Sequence, residues 1–170
     1  HVLQQAAHEK DTQRVKAASG ELTEKFGRTS YAPLGALIAA KSMMDAGDAK
    51  TAKAQLLWAV DKSKNEIRDL ARLRLATLLI DEKAYDEALK QLDGSVTPAF
   101  EPRFIDNRGD IFSLQGKKDE ARKAYQAAID KLAEIDKNGQ GVNSQSWQLQ
   151  SNAVYRELIQ RKLDALGTKA

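Results

Sequence analysis

The sequence contains no cysteine, and this absence excludes a disulfide framework and any metal site built from thiolates. Proline and glycine are also scarce, at 3 and 10 of 170 residues, so few positions would interrupt a helix. Alanine, leucine, lysine, aspartate, glutamate and glutamine dominate instead. This composition favours long helices and predicts an all-α chain.

Long apolar runs are missing as well. A bilayer-spanning helix needs about 18 or more consecutive apolar residues, and the sequence contains no such run. No signal-peptide pattern precedes the first helix. The chain begins at His1, already inside helical patterning, and we expect that it was cut from a longer protein whose membrane anchor is missing here.

The chain also lacks a strong excess of one charge. Its 27 basic and 24 acidic residues leave a formal charge of +3, and both signs alternate along the predicted helices. Proteins that bind nucleic acids concentrate Lys and Arg on one element and interleave aromatic residues that stack on bases. Because neither arrangement occurs, we predict a solvated surface and no nucleic-acid partner.

The residues that catalysis requires are few. The two histidines, His1 and His8, lie at the start of the chain without further ligands at helical spacing, so we predict no metal site. Gly139 and Gly141 follow a helix and lack the Lys-Ser or Lys-Thr of a phosphate-binding loop. We therefore expect no cofactor and no catalytic residue, and we predict that the protein is not an enzyme.

A pattern of small and large residues recurs three times in the middle of the chain. Paired helices approach closely only where their side chains are small, while large residues fill the gaps between neighbouring pairs. This spacing predicts tetratricopeptide-like helix pairs. The small positions are Ala40 with Ala52, Ala76 with Ala88, and Gly109 with Ala121.

These repeats predict a helix-pair solenoid formed as one continuous domain. Residues 1–30 form a partial N-terminal helix pair, or half repeat, with Leu22 and Phe26 on its buried face. Residues 31–136 form three full repeats, and residues 137–145 form a polar loop. Residues 146–170 form a C-terminal capping helix, which would cover the last apolar face of the solenoid.

The inner surface of such a solenoid is lined by the first helix of each pair. The positions that face away from the packing residues predict a partner-binding groove. Its mixture of apolar and polar side chains fits an extended peptide or a partner helix, and the sequence leaves both open. The predicted groove residues are Leu34, Leu37, Lys41, Met44, Leu70, Leu73, Thr77, Arg103, Asp106 and Asp110.

Several stretches carry a signal more specific than the repeat spacing: Tyr31-Ala32-Pro33, Gly47-Asp48, Ala54-Gln55-Leu56-Leu57-Trp58-Ala59-Val60, Ala71-Arg72-Leu73-Arg74-Leu75-Ala76, Tyr85-Asp86-Glu87-Ala88-Leu89 and Arg108-Gly109-Asp110-Ile111. Together they resemble the YfgM family, bacterial ancillary proteins of the SecYEG translocon that have one N-terminal transmembrane helix and a periplasmic tetratricopeptide-like domain. One departure is Lys10-Asp11, where a Gly-Asp turn would be typical.

The resemblance implies a periplasmic domain tethered to the inner membrane by a single helix. It also implies that the domain works beside the SecYEG translocon, together with a PpiD-like chaperone, on exported polypeptides. It implies no catalytic residue. We therefore predict a non-enzymatic protein-protein interaction module. The alternative is a structural scaffold of an envelope complex that self-associates, as a homodimer for instance, through Trp147 and the apolar stripe of the last helix.

Overall fold

The computed structural model describes residues 2–29, 31–139 and 146–167, and these residues form α-helices without any strand. The all-α, tetratricopeptide-like fold predicted from the sequence is confirmed. A short 3-10 helix, Pro98–Phe100, precedes α7. The α-helices of the described residues are α1 (Val2–His8), α2 (Thr12–Phe26), α3 (Tyr31–Asp45), α4 (Ala49–Lys62), α5 (Asn65–Asp81), α6 (Tyr85–Leu92), α7 (Glu101–Leu114), α8 (Lys118–Gly139) and α9 (Ser146–Ala165).

Tight turns join the helices of each pair, and a residue with positive φ stands in each turn. Gly47 and Gly116 have φ values of +78° and +75°, which glycine adopts freely. Lys10 and Lys83 occupy the corresponding places in the other two pairs, with φ values of 57° and 60°. The departure from a Gly-Asp turn at Lys10 therefore keeps the turn geometry, although a side chain strains it.

The small positions of the repeats are buried, as the sequence predicts. Gly109 shows the reason most directly, because a Cβ atom built on it would lie 2.6 Å from the ring of Tyr125. The two helices that carry these residues, α7 and α8, would have to separate to admit a larger side chain. The other small positions have no accessible surface: Ala40, Ala52, Ala76, Ala88 and Ala121.

The chain forms two compact units, residues 1–91 and 92–170. Within the N-terminal unit, α5 is tied to α6 by Arg72, whose Nε donates a hydrogen bond of 2.8 Å to the carbonyl of Gln91. The same guanidinium pairs with the buried carboxylate of Asp69, at 3.3 Å. The largest fully buried apolar side chains of this unit are Val15, Met43, Leu56, Leu75 and Leu79. The single continuous domain stays a prediction.

In the C-terminal unit, α9 packs on α8 and completes a second core. Ile159 of α9 has no accessible surface and joins Ala121, Tyr125, Ala128 and Leu132 of α8. Ile105 and Phe112 of α7, with Tyr155 and Leu163 of α9, pack around this cluster. Helix α9 thus covers an apolar face of α8 within this unit.

The polar loop begins later than predicted. Residues 137–139 belong to α8, which ends at Gly139. Neither residue 137 nor residue 138 is a helix breaker, and the basic side chain of Lys137 is favourable in the last turn of a helix. Residues 140–145 of the predicted loop lie outside the described residues. The same holds for the side chain of Trp147, on which the self-association alternative partly depends.

The N-cap residue of α4, Asp48, carries a charge whose contribution to stability can be tested. Asp48 Oδ1 accepts a hydrogen bond of 3.0 Å from the backbone N–H of Thr51, and Oδ2 lies 2.6 Å from Lys16 Nζ. The bond to Lys16, and next the bond to Thr51, hold the pKa of the Asp48 carboxyl far below its usual range. A lowered pKa means that the carboxylate stabilises the fold above pH about 4, and that this contribution disappears as the pH falls further.

We expect Asp48→Ala to lower the melting temperature at neutral pH, because the cap and the ion pair with Lys16 are both lost. Thermal unfolding followed by circular dichroism checks this, and the difference from the wild type should shrink below pH about 4. Asp45→Ala is the matched control, since Asp45 is exposed and pairs with Lys41 on the surface of its own helix. Equal effects of the two substitutions would contradict the assignment.

Candidate protein-interaction surface

The predicted groove residues of α3 divide into exposed and buried side chains. Leu34 is 42% exposed, Lys41 is exposed and Met44 is partly exposed. Leu37, in contrast, is only 3% exposed, so the prediction that it lies on a binding surface was wrong. The reason is that α5 packs along α3 at this level, where Arg74 Nη1 donates a hydrogen bond of 3.1 Å to the Leu37 carbonyl.

Helix α5 contributes three further predicted residues, and all of them keep accessible surface. Leu70 and Leu73 are partly exposed, and Thr77 is exposed with its hydroxyl bonded to the Leu73 carbonyl at 3.1 Å. Helices α3 and α5 contact each other, so the exposed residues of both belong to one compact unit. We call these accessible residues the α3–α5 strip: Lys41, Met44, Leu70, Leu73 and Thr77.

The predicted groove residues of α7 have a different role. Asp106 is 3% exposed, and its oxygens accept hydrogen bonds from Tyr155 Oη at 2.7 Å and from Lys162 Nζ at 2.9 Å. Asp110 accepts from Lys162 Nζ and from Tyr125 Oη, both at 2.8 Å. The assignment of Asp106 to a groove was therefore wrong, because Tyr155 and Lys162 of α9 cover it. Asp110 keeps 31% of its side chain exposed, and its place in a groove stays a prediction.

Burial and hydrogen bonding shift pKa values in this polar cluster between α7 and α9. Burial raises the pKa of Asp106, although Lys162 and Tyr155 favour its charged form. Burial opposes the charge on Lys162, but its bonds to the two carboxylates outweigh this effect and its pKa is raised. Burial and the adjacent carboxylates also raise the pKa of Tyr125 and Tyr155. The cluster therefore contains charges that compensate one another and serves to position α9.

Arg103, the remaining predicted groove residue, lies at the edge of this cluster. Its side chain is exposed, and the guanidinium carbon lies 4.7 Å from the centroid of the Tyr155 ring. That distance is typical of a cation–π contact between α7 and α9. Among the ten predicted residues, the structure thus leaves seven with accessible surface that is not committed to α9: Leu34, Lys41, Met44, Leu70, Leu73, Thr77 and, in part, Arg103.

The sequence did not predict a cleft between α1, α2 and α3. It has a volume of about 550 Å³ and lies within the N-terminal unit. Phe26, predicted to be buried, is 51% exposed on its wall, and Tyr31 is 74% exposed. We call it the N-terminal cleft, and its lining is Val2, Leu3, Gln4, Ala18, Glu21, Leu22, Phe26, Tyr31, Leu34, Gly35 and Ile38.

Two other kinds of site are absent from the residues that the structure describes. Among residues 2–29, 31–139 and 146–167, no group of three or more His, Asp or Glu side chains is arranged to hold a metal ion. In the same part of the chain, no helix combines the length and the apolar character that crossing a membrane requires.

The geometry defines a class of protein in which helix pairs stack and offer apolar surface to other polypeptides. The chain belongs to the tetratricopeptide repeat-like domain family, which matches residues 1–168. Two relatives share the name "Ancillary SecYEG translocon subunit". The protein from Neisseria gonorrhoeae is 29% identical over 167 residues, which cover 98% of this chain and 72% of the relative.

The second relative, from Escherichia coli, is 31% identical over 110 residues, which cover 62% of this chain and 53% of the relative. The resemblance to the YfgM family that the sequence motifs indicate is thereby confirmed. The shared fold and these relatives support a role in protein interaction, and the name of the relatives denotes no catalytic activity.

Proposed function

We propose that this protein is a non-enzymatic interaction module that works beside the SecYEG translocon and assists the chaperoning of exported proteins. The names of both relatives support the translocon as a partner. By the same resemblance we propose a PpiD-like chaperone and exported polypeptides as further partners. The domain would lie in the periplasm, held at the inner membrane by an N-terminal anchor.

The observation that carries the proposal is the α3–α5 strip. Met44, Leu70 and Leu73 keep part of their apolar surface accessible although each belongs to a well-packed helix. Lys41 lies one helical turn from Met44 on α3, and Thr77 lies one helical turn from Leu73 on α5, so each helix offers a polar side chain that an extended peptide or a helix can use for hydrogen bonds. A combination of accessible apolar and polar side chains is usual for a protein-binding surface.

Binding through this strip should be weak in solution. Complete burial of one leucine side chain contributes about 1.5–3 kcal/mol, and the strip offers only three partly exposed apolar residues. The loss of rotational and translational freedom on association opposes this gain. A membrane tether compensates, because it raises the effective concentration of the module beside its partner without any additional contact.

Site-specific photocrosslinking tests the proposal. We expect benzoylphenylalanine at Leu73 or Thr77 of the full-length, membrane-bound protein to crosslink to translocon subunits, a PpiD-like chaperone or polypeptides under export. Leu57 is the matched control, because it is 48% exposed on α4 and lies outside the strip. Crosslinks only from Leu57, or only between copies of the protein, would contradict the proposal.

A self-associating scaffold remains the second candidate because of an exposed pair on α9. Val154 is 64% exposed and Leu158 is 50% exposed, one helical turn apart. If copies associate through this face, the mass in solution should rise with concentration, and the double substitution Val154→Ser with Leu158→Ser should abolish the rise. A constant monomer mass for the unsubstituted chain would remove this candidate.

A further inference from the structure

Arg74 of α5 lies among the residues of the α3–α5 strip. It directly follows Leu73, and Leu70 and Thr77 lie one helical turn away from it, so these side chains share one face of α5. The side chain of Arg74 is partly buried, and its Nη1 donates a hydrogen bond of 3.1 Å to the Leu37 carbonyl of α3. The guanidinium therefore bridges the two helices that form the strip, and this bond restricts its position.

The positive charge of Arg74 is not compensated. Among the residues that the structure describes, no aspartate or glutamate forms an ion pair with Arg74, and its guanidinium donates no hydrogen bond besides the one to Leu37. A guanidinium has several N–H groups, so most of them remain available to a partner. The other cation of the strip differs, because Lys41 pairs with Asp45 at 2.9 Å on its own helix.

A cation in such a place favours a carboxylate as its ligand. Arginine can bind a carboxylate through two parallel N–H···O bonds, which are stronger than hydrogen bonds between neutral groups. Because Arg74 is partly buried, it has already lost part of its hydration in the folded protein, and binding has less water to remove. The adjacent Leu70 and Leu73 favour apolar contacts with the same ligand.

We propose that the α3–α5 strip prefers polypeptide segments in which an acidic side chain lies between apolar residues, and that Arg74 binds the carboxylate. The argument is charge complementarity, because Arg74 offers a positioned cation and none of the strip residues is acidic. A wholly apolar segment leaves the guanidinium without a ligand, and a basic segment is repelled by it. The inference rests on the proposed function, since it takes the strip as the binding surface.

Two synthetic peptides of about 10 residues test this preference. Both have leucine and alanine around one central residue, which is glutamate in the first peptide and glutamine in the second. Titration of the full chain should give amide chemical-shift changes in residues 41–44 and 70–77 with both peptides. We expect the glutamate peptide to bind about tenfold more tightly, and we expect added salt to reduce this difference.

Substitutions of Arg74 separate recognition of the carboxylate from a structural role. Arg74→Gln should remove the preference and leave the affinity for the glutamine peptide nearly unchanged. Arg74→Lys keeps the charge but loses the planar donor geometry, so it should retain part of the preference. Arg28→Gln is the matched control, because Arg28 is exposed in the turn after α2, outside the strip, and forms no ion pair among the described residues.

Several outcomes would overturn the inference. Equal affinities of the two peptides at the strip would remove the preference but leave the strip as a binding surface. A preference that survives in Arg74→Gln, or that Arg28→Gln abolishes, would exclude Arg74 as the carboxylate ligand. Failure of the glutamate peptide to bind would also contradict the inference, and the photocrosslinks from Leu73 would show separately whether the proposed function fails with it.

Discussion

Replacing Asp106 by alanine is expected to lower the free energy of unfolding of the C-terminal unit by about 3 kcal/mol. The substitution removes the acceptor of the Tyr155 hydroxyl and two of the three carboxylate oxygens that bind Lys162. Lys162 would then keep only Asp110 as a partner, although most of its side chain is buried. Hydrogen exchange should show the largest loss of protection in α9, which this cluster holds on α7.

Two further substitutions separate the loss of the cluster from a general effect of mutation. Asp106→Asn keeps the size of the side chain and an oxygen for the Tyr155 hydroxyl, so we expect a smaller cost of about 1 kcal/mol. Asp130→Ala removes an exposed carboxylate of α8 that accepts a surface bond from Gln126, and it should change stability by less than about 0.5 kcal/mol. Equal effects of Asp106→Ala and Asp130→Ala would contradict the assignment.

The pH dependence of the same unit follows from the direction of the Asp106 shift. Burial raises the pKa of this carboxyl in the folded state, so the folded state takes up its proton at a higher pH than the unfolded state does. Protonation of Asp106 therefore favours folding, and this benefit is lost as the pH rises through the raised pKa. Denaturant unfolding should show that the wild type gains stability relative to Asp106→Asn as the pH falls towards about 4.

The helix pairs could be predicted from the sequence because close approach of two backbones limits the side chain at fixed positions. Ala76 with Ala88 and Gly109 with Ala121 satisfy this limit, and all four residues are buried. The pattern is local and periodic, so a single sequence displays it. The same reasoning gave the turns, since a positive φ after a helix favours glycine, as at Gly47.

The groove was predicted less completely than the helix pairs. The position of a residue within the repeat identifies the face of the helix on which the residue lies, but it does not identify the neighbour that covers that face. Leu37 has the correct phase for an inner surface, but α5 buries it. Asp106 pairs with Lys162, which lies 56 residues further along the chain in a helix outside the repeat period. Nothing in the spacing of α7 reveals that partner.

The N-terminal cleft could not be predicted for a related reason. Leu22 and Phe26 have the apolar spacing of a buried helix face, and this spacing is the same whether a neighbour covers them or not. Coverage depends on which neighbouring helix packs at this level, and the spacing of α2 carries no information about that neighbour. Exposure of Phe26 is therefore a property of the tertiary structure.

Replacing Gly109 by valine is expected to be among the most destabilising single changes, at about 3 kcal/mol. A Cβ atom at this position would lie 2.6 Å from two ring atoms of Tyr125, a distance at which one of the helices must move. The ring cannot rotate away easily, because Tyr125 is 3% exposed and its hydroxyl is bonded to Asp110 at 2.8 Å. Denaturant unfolding and the hydrogen exchange of α7 and α8 would measure the loss.

The control for this prediction is alanine at Gly109 and at Gly20, because the same substitution should change the stability in opposite directions at the two sites. Gly20 lies inside α2, and a Cβ atom added there would meet no neighbouring atom within 4 Å, so Gly20→Ala should stabilise the N-terminal unit by roughly 0.5–1 kcal/mol. Gly109→Ala gains the same helix propensity but meets the Tyr125 ring, and it should destabilise. If both alanines stabilise the protein, the Tyr125 ring can move aside, and the close approach of α7 and α8 is not the reason for glycine at the Gly109 position.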